Sequence, residues 1–236
     1  MKIKSILLSM GLVAFTAISN AAVINGNSEL QGVVDSAILS QSSGIVDVQN
    51  DQVLNDEVWA VFQPSSSTSS FIATFWGGNT NTTDPSANTA VFGIYDIYDF
   101  SKTVDLSFSS FNNNVTFSIR ASDGRVGVNN LDSGINFTAN QFGFYNTNTF
   151  QGTTYTGYSQ MSRNAGGKDA MLTYNHKNGF LNPGQKLLAF DPNLSGDFDD
   201  LVVTIESAAP VPAPGVLALM GLGLAGIGLS RRKTKK

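Results

Sequence analysis

The sequence predicts an all-β protein, an antiparallel β-sandwich or jelly roll. Three observations carry that expectation. Short runs rich in β-branched and aromatic residues recur along the chain. Clusters of Gly, Asn, Asp and Pro separate them, and no long stretch repeats apolar residues at helical spacing. In order, the runs are Glu57–Gln63, Ser70–Trp76, Ala90–Asp99, Val104–Ser109, Asn114–Arg120, Asn136–Asn146, Thr154–Met161, Ala170–Asn175, Lys186–Phe190 and Leu201–Ser207. The turn clusters include Gly77-Gly78-Asn79, Asn112-Asn113-Asn114, Asp123-Gly124, Gly166-Gly167, Asn182-Pro183-Gly184 and Asp191-Pro192-Asn193. One short helix is expected near Leu30–Leu39. Sixteen phenylalanines suit the space between two sheets, and the Asn, Ser and Thr residues suit wetted faces. The segments Gln63–Ser70 and Gly77–Asn88 read as polar connecting loops.

Composition narrows the chemistry. The chain has 236 residues, no cysteine and one histidine, His176. A Cys nucleophile and Cys-bound zinc or iron–sulfur are excluded, as is any site with two His ligands. The net charge of −4 hides a segregation. Residues 22–210 carry seven basic against all eighteen acidic residues, a net of −11. The remaining basic residues sit at the two ends. An acidic body argues against nucleic acid as a partner, because phosphate binding needs a basic face.

Both ends read as targeting segments. Met1-Lys2-Ile3-Lys4 is basic, Ile6–Ile18 is apolar or small, and Ser19-Asn20-Ala21 places small residues before a cut between Ala21 and Ala22. This is the layout of a secretory signal peptide, handled by the Sec translocon and signal peptidase. At the other end, Pro210-Val211-Pro212-Ala213-Pro214 interrupts regular structure. Residues 215–230 are uncharged and almost wholly apolar, and the tail 231–236 holds Arg231, Arg232, Lys233, Lys235 and Lys236. As a helix, Gly215–Leu229 is about 22 Å long, so snorkelling basic side chains would complete a span of the inner membrane. The basic tail and the N-terminal lysines both favour the cytoplasmic side, leaving the body outside. Three segments follow: 1–21 the signal peptide, 22–209 the β domain, and 210–236 the C-terminal signal.

The proline motif, short Gly/Leu helix and basic tail resemble the tripartite PEP-CTERM sorting signal of exported Gram-negative proteins. The motif residues are Val211, Pro212, Ala213 and Pro214, with Ala213 where the family usually has Glu. The resemblance implies an exosortase-type enzyme as partner, transient residence in the inner membrane, and release to the cell surface or medium. A chain that keeps its tail would instead stay anchored in the inner membrane.

A second stretch supports the fold. Phe142-Gly143-Phe144-Tyr145, Asn164-Ala165-Gly166-Gly167, Ala170–Tyr174, Leu188–Asp191 and Asp197-Phe198-Asp199-Asp200-Leu201-Val202-Val203 follow one another in this order. This order looks like a β-rich domain of unknown function common in exported bacterial proteins. Phe190-Asp191 shortens that domain's Phe-Glu-Asp, and Asp199 stands where Asn is more usual.

The most site-like cluster is Asp191, Asp197, Asp199 and Asp200. Four carboxylates this close repel unless a cation or solvent screens them. Two readings stand: a solvated acidic turn, which weighs more, and a structural Ca²⁺ site using carboxylate and backbone oxygens. In an extended segment Asp197 and Asp199 share a face and Asp200 takes the other. The loop Pro192–Gly196 can fold Asp191 back towards them. The spacing is not that of an EF-hand.

Catalytic patterns are weak, and the expectation is a protein without enzymatic activity. Glu29, Glu57 and Glu206 are far apart, and Asp96 and Asp99 would face opposite sides of one strand. His176 reads as a loop residue. Trp59 and Trp76 can stack on sugars but sit in apolar runs that favour core packing. Asn81-Thr82-Thr83 matches a glycosylation acceptor by chance. The sequence therefore points to an exported structural or adhesive protein working with exopolysaccharide in an extracellular matrix or biofilm. The alternative is a secreted carbohydrate-active enzyme or a carbohydrate-binding module.

Overall fold

The structure, a computed structural model, describes residues 28–38, 46–54, 56–61, 68–77, 91–106, 114–120, 122–150, 152–175 and 185–211. Those residues form an all-β protein with one helix, α1 (Ser28–Ile38), and two short 3-10 turns. The strands are β1 (Gln52–Val53), β2 (Trp59–Val61), β3 (Thr68–Gly77), β4 (Val91–Asp96), β5 (Thr103–Leu106), β6 (Asn114–Arg120) and β7 (Arg125–Val128). They continue with β8 (Leu131–Asn136), β9 (Gln141–Phe150), β10 (Thr153–Tyr158), β11 (Met171–Asn175), β12 (Lys186–Phe190), β13 (Leu201–Glu206) and β14 (Ala208–Pro210). One sheet has the order β1-β11-β12-β13-β3-β6-β7-β8. The other has the order β14-β2-β9-β4-β5, with β10 also on β9. The pairings are antiparallel.

Side chains from both sheets meet in one core. Trp59, Phe92, Ile94, Phe142 and Phe144 come from the smaller sheet, and Phe117, Ile119, Leu188, Phe190, Val203 and Ile205 from the larger. The rings contact one another directly: Phe144 stacks on Phe92 at 5.4 Å and meets Trp59 edge-on at 5.2 Å. Phe92 in turn meets Phe190 of the other sheet at 5.8 Å.

A second apolar cluster lies on the other face of β11, β12 and β13. It gathers Leu172, Tyr174, Leu187, Ala189 and Val202 under Leu30 and Val34 of α1, with Val46, Val48 and Phe198. Leu30 and Val34, one helical turn apart, share the buried face of α1. Gln31 locks the helix to the chain that follows: its amide donates to Val46 O at 3.0 Å and accepts from Val48 N at 3.1 Å. These three strands are therefore buried on both faces, which explains why β12 and β13 are largely continuous apolar runs rather than alternating ones.

Three expectations need correction. Thr68–Ser70, read as the end of a connecting loop, open β3 and pair with β6. The run Asn136–Asn146 is not one strand. β8 ends at Asn136, residues 137–140 bend, and β9 starts at Gln141. The bend is held by Thr138 N donating to the buried Asp96 carboxylate at 2.5 Å. In addition, β1, β7, β8 and β14 form where no strand is expected. The N-terminal segment, the acceptor triplet Asn81–Thr83, His176 and residues 212–236 lie outside the described residues.

Candidate functional site

The acidic loop joins β12 to β13. Asp191 is fully buried at its start, and its carboxylate accepts from Ser195 N at 3.0 Å, Ser195 Oγ at 3.2 Å and Gly196 N. The same Ser195 hydroxyl lies 2.6 Å from Asp197 Oδ1. Phe198 takes a left-handed backbone conformation, φ 54°, and buries its ring among the apolar side chains beneath α1. Asp200 N then closes the loop on Phe190 O at 3.2 Å.

This path decides which carboxylates meet. Asp191, Asp197 and Asp200 each bring an oxygen within 4.8 Å of the others, and Asp199 is not in that group. The extended-strand expectation, which pairs Asp197 with Asp199 and sets Asp200 apart, is therefore wrong. The left-handed turn at Phe198 breaks the alternation, and β13 begins only at Leu201. Asp199 is instead buried.

The other sheet reaches this group. Asn148 of β9 donates its amide to Asp200 Oδ1 at 3.4 Å. Asn148 is only 7 % exposed, and its Oδ1 has no hydrogen-bond partner; neither has the buried Oδ2 of Asp200. The backbones are close as well: a Cβ on Gly157 of β10 would stand 2.8 Å from Pro192 Cα. Burial, then the charges of Asp197, Asp191 and Asp199, push the Asp200 carboxyl up to about 7. Burial raises Asp191 too. The site concentrates acceptor oxygens and negative charge, and its donor set of carboxylates and an amide suits a hard divalent cation.

Other acidic residues serve different ends. Asp96 and Asp99 do not face opposite sides, because β4 ends at Asp96 and the following turn brings both to Lys102, at 3.9 and 3.4 Å. Asp56 is buried and Asp169 half-buried. Burial first, then Asp169, pushes Asp56 up to about 8, and burial carries Asp169 to about 7. Glu206 accepts from the Gln185 amide at 3.0 Å. Trp59 is fully buried in the core, with its indole N–H on Asp56 O, so its ring is not a sugar platform. Trp76 lies in β3.

An aromatic surface on the smaller sheet was not anticipated. β4 and β9 each carry Gly-x-Tyr, and their register sets Gly93 opposite Tyr145 and Tyr95 opposite Gly143. Each ring lies over the opposing glycine: a Cβ on Gly93 would meet the Tyr145 ring at 2.4 Å, and one on Gly143 the Tyr95 ring at 2.2 Å. The Arg163 guanidinium stacks over Tyr158 and Phe100, both at 3.9 Å, and over Tyr95 at 4.5 Å. Phe100, one ring of this cage, and Tyr98 stay about half exposed, at 49 % and 54 %. The readable clue was the repeated Gly-x-Tyr; its register was not legible.

At the C-terminal end β14 pairs with β2, and Val211 N donates to Val58 O at 2.8 Å. Of the four motif residues Val211 alone is described; Pro212, Ala213, Pro214, the apolar segment and the basic tail lie beyond, as do Ala21 and Ala22. Among the described residues no helix is long and apolar enough to cross a membrane. Residues 210–233 match the PEP-CTERM protein-sorting motif. That match supports an exported chain sorted by an exosortase. No curated protein and no solved structure matches the chain.

Proposed function

We propose that this chain, a PEP-CTERM protein by the signal at residues 210–233, is a non-enzymatic β-sandwich protein that works at the cell surface or in the extracellular matrix. The signal is the observation that carries the reading. It begins at Pro210, the last residue of β14, so the sorting segment follows the folded domain without a linker. Residues 1–21 act as the secretory signal, 22–209 as the exported domain and 215–230 as the transient membrane segment. The Sec translocon and signal peptidase handle the first step, and the exosortase the last.

The role outside is structural or adhesive, with exopolysaccharide as the partner. The half-exposed rings of Tyr98 and Phe100, beside the Gln141 amide that accepts from Tyr98 OH at 2.8 Å, favour contact with sugar rings. Mass spectrometry of envelope and medium fractions tests the sorting. A mature C-terminus near Pro214 is expected, and a chain still ending at Lys236 in the inner membrane would overturn it. Retention on purified exopolysaccharide, lost in the Tyr98→Ala/Phe100→Ala double variant, tests the adhesive role.

A further inference from the structure

We propose that Asp191, Asp197, Asp200 and the Asn148 amide bind one Ca²⁺ that ties the two sheets together. The three carboxylates supply one half of the case, since their oxygens converge within 4.8 Å. The independent half comes from the opposite sheet. Asn148 is 7 % exposed and its amide N–H reaches Asp200 of the cluster, while the carbonyl oxygen of the same amide has no hydrogen-bond partner. A buried amide oxygen without a donor is costly, and a cation satisfies it once the amide is turned to face the carboxylates.

The present amide contact, Asn148 Nδ2 to Asp200 Oδ1, is long at 3.4 Å. The two ends of an asparagine amide are nearly the same shape, so a half-turn about its last torsion exchanges them. The carbonyl then faces Asp200, whose carboxylate lies with those of Asp191 and Asp197. The buried Oδ2 of Asp200, also without a partner, offers a further ligand position. Ca²⁺ takes six to eight oxygens in flexible geometry, so carboxylates, one amide carbonyl and water complete its shell. Mg²⁺ demands a tighter octahedron and holds its own water, which a loop and a strand from separate sheets meet less well. Two of the anchors, Asp191 and Asp200, flank the loop between β12 and β13, while Asn148 belongs to β9. Bound there, the ion would cross-link two sheets that no disulfide joins.

The full-length chain in detergent, freed of metal with a chelator, is titrated with CaCl₂ by calorimetry and melted with and without it. One Ca²⁺ per chain is expected, with a melting point about 5–10 °C higher at a hundred times Kd. MgCl₂ at the same concentration should give a clearly smaller shift. Asp197→Asn should weaken Ca²⁺ binding at least about tenfold, and so should Asn148→Ala, whereas Asn148→Asp keeps an oxygen in place and keeps binding. If Asn148→Ala does not fold by circular dichroism, Asp197→Asn and Asn148→Asp decide the matter. No heat and no shift at about 5 mM CaCl₂ would overturn the site. Equal shifts with MgCl₂ would overturn the choice of Ca²⁺, and unchanged affinity in a folded Asn148→Ala would overturn the link between sheets.

Discussion

The two ends of the eight-stranded sheet are built by different physics. At one end β11, β12 and β13 are covered on both faces, by the shared core on one side and by α1 with Val46, Val48 and Phe198 on the other. At the other end β6, β7 and β8 bury one face only. In β6, Val115, Phe117 and Ile119 point inward while Thr116 and Ser118 stay partly wetted. Outward-pointing residues should therefore matter at the first end and hardly at the second. Leu187→Ala, on the outer face of β12, should cost about 2–5 kcal/mol, because it empties a fully buried site. Ser118→Ala, on the outer face of β6, should stay within about 0.5 kcal/mol. Urea unfolding of both variants measures the contrast, and similar losses would erase it.

The smaller sheet offers a test of another kind, since its outer face is paved by the reciprocal Gly–Tyr pairs. Gly93→Ala drives a methyl into the Tyr145 ring and should cost about 1–3 kcal/mol. Thermal melting checks this, and a Gly93→Ala/Tyr145→Ala double variant should recover part of the loss if the ring is the obstacle.

How much of this was readable follows from the same contrast. Runs such as Lys186–Phe190 and Leu201–Glu206 were legible because burial on two faces leaves them little but apolar residues. The hairpin of β7 and β8 was not. Leu131–Asn136 reads Leu-Asp-Ser-Gly-Ile-Asn, poor in strand formers and mostly exposed. Its one usable signal was Asn129-Asn130, both at positive φ, 49° and 65°, as a tight primed turn requires. The acidic cluster was visible as composition, and the fold of Asp191 towards Asp197 was foreseeable. The exclusion of Asp199 was not, because it depends on Phe198 finding a tertiary apolar site. Asn148 lies some fifty residues away in sequence, and no local pattern connects it to Asp200.

The doubly covered end also carries buried acid, which gives it a pH dependence opposite in sign to that of Asp123 at the open end, whose carboxyl the Arg120 hydrogen bond holds below its ordinary range. Asp56 and Asp169 bind protons in the fold at pH values where the unfolded chain, near the ordinary 3.8, has released them. The folded state therefore holds more protons between about pH 4 and 8, and stability falls as pH rises through that window. Each such proton contributes a slope of at most about 1.4 kcal/mol per pH unit. Asp56→Asn keeps a neutral group of the same shape, so it should remove about that much of the difference between pH 6 and 7. Urea unfolding at the two pH values measures it, and a variant with the wild-type slope would sink the assignment.

The open end should respond to salt instead. Arg125 pairs with Asp132 across the β7–β8 hairpin, and Arg120 with Asp123 beside it; all four side chains are roughly 40–50 % exposed. Water screens such pairs, and holding two long side chains costs entropy, so Arg125 with Asp132 adds about 0.2–1 kcal/mol at most. Arg125→Ala should lose no more than that, and its difference from the wild type should shrink between about 0.05 and 1 M NaCl as the Debye length falls. Leu187→Ala, which removes apolar contact rather than charge, should keep its full deficit across the same range. A deficit that ignores salt at Arg125 would mean that its aliphatic stem, packed along the hairpin, does the stabilising there.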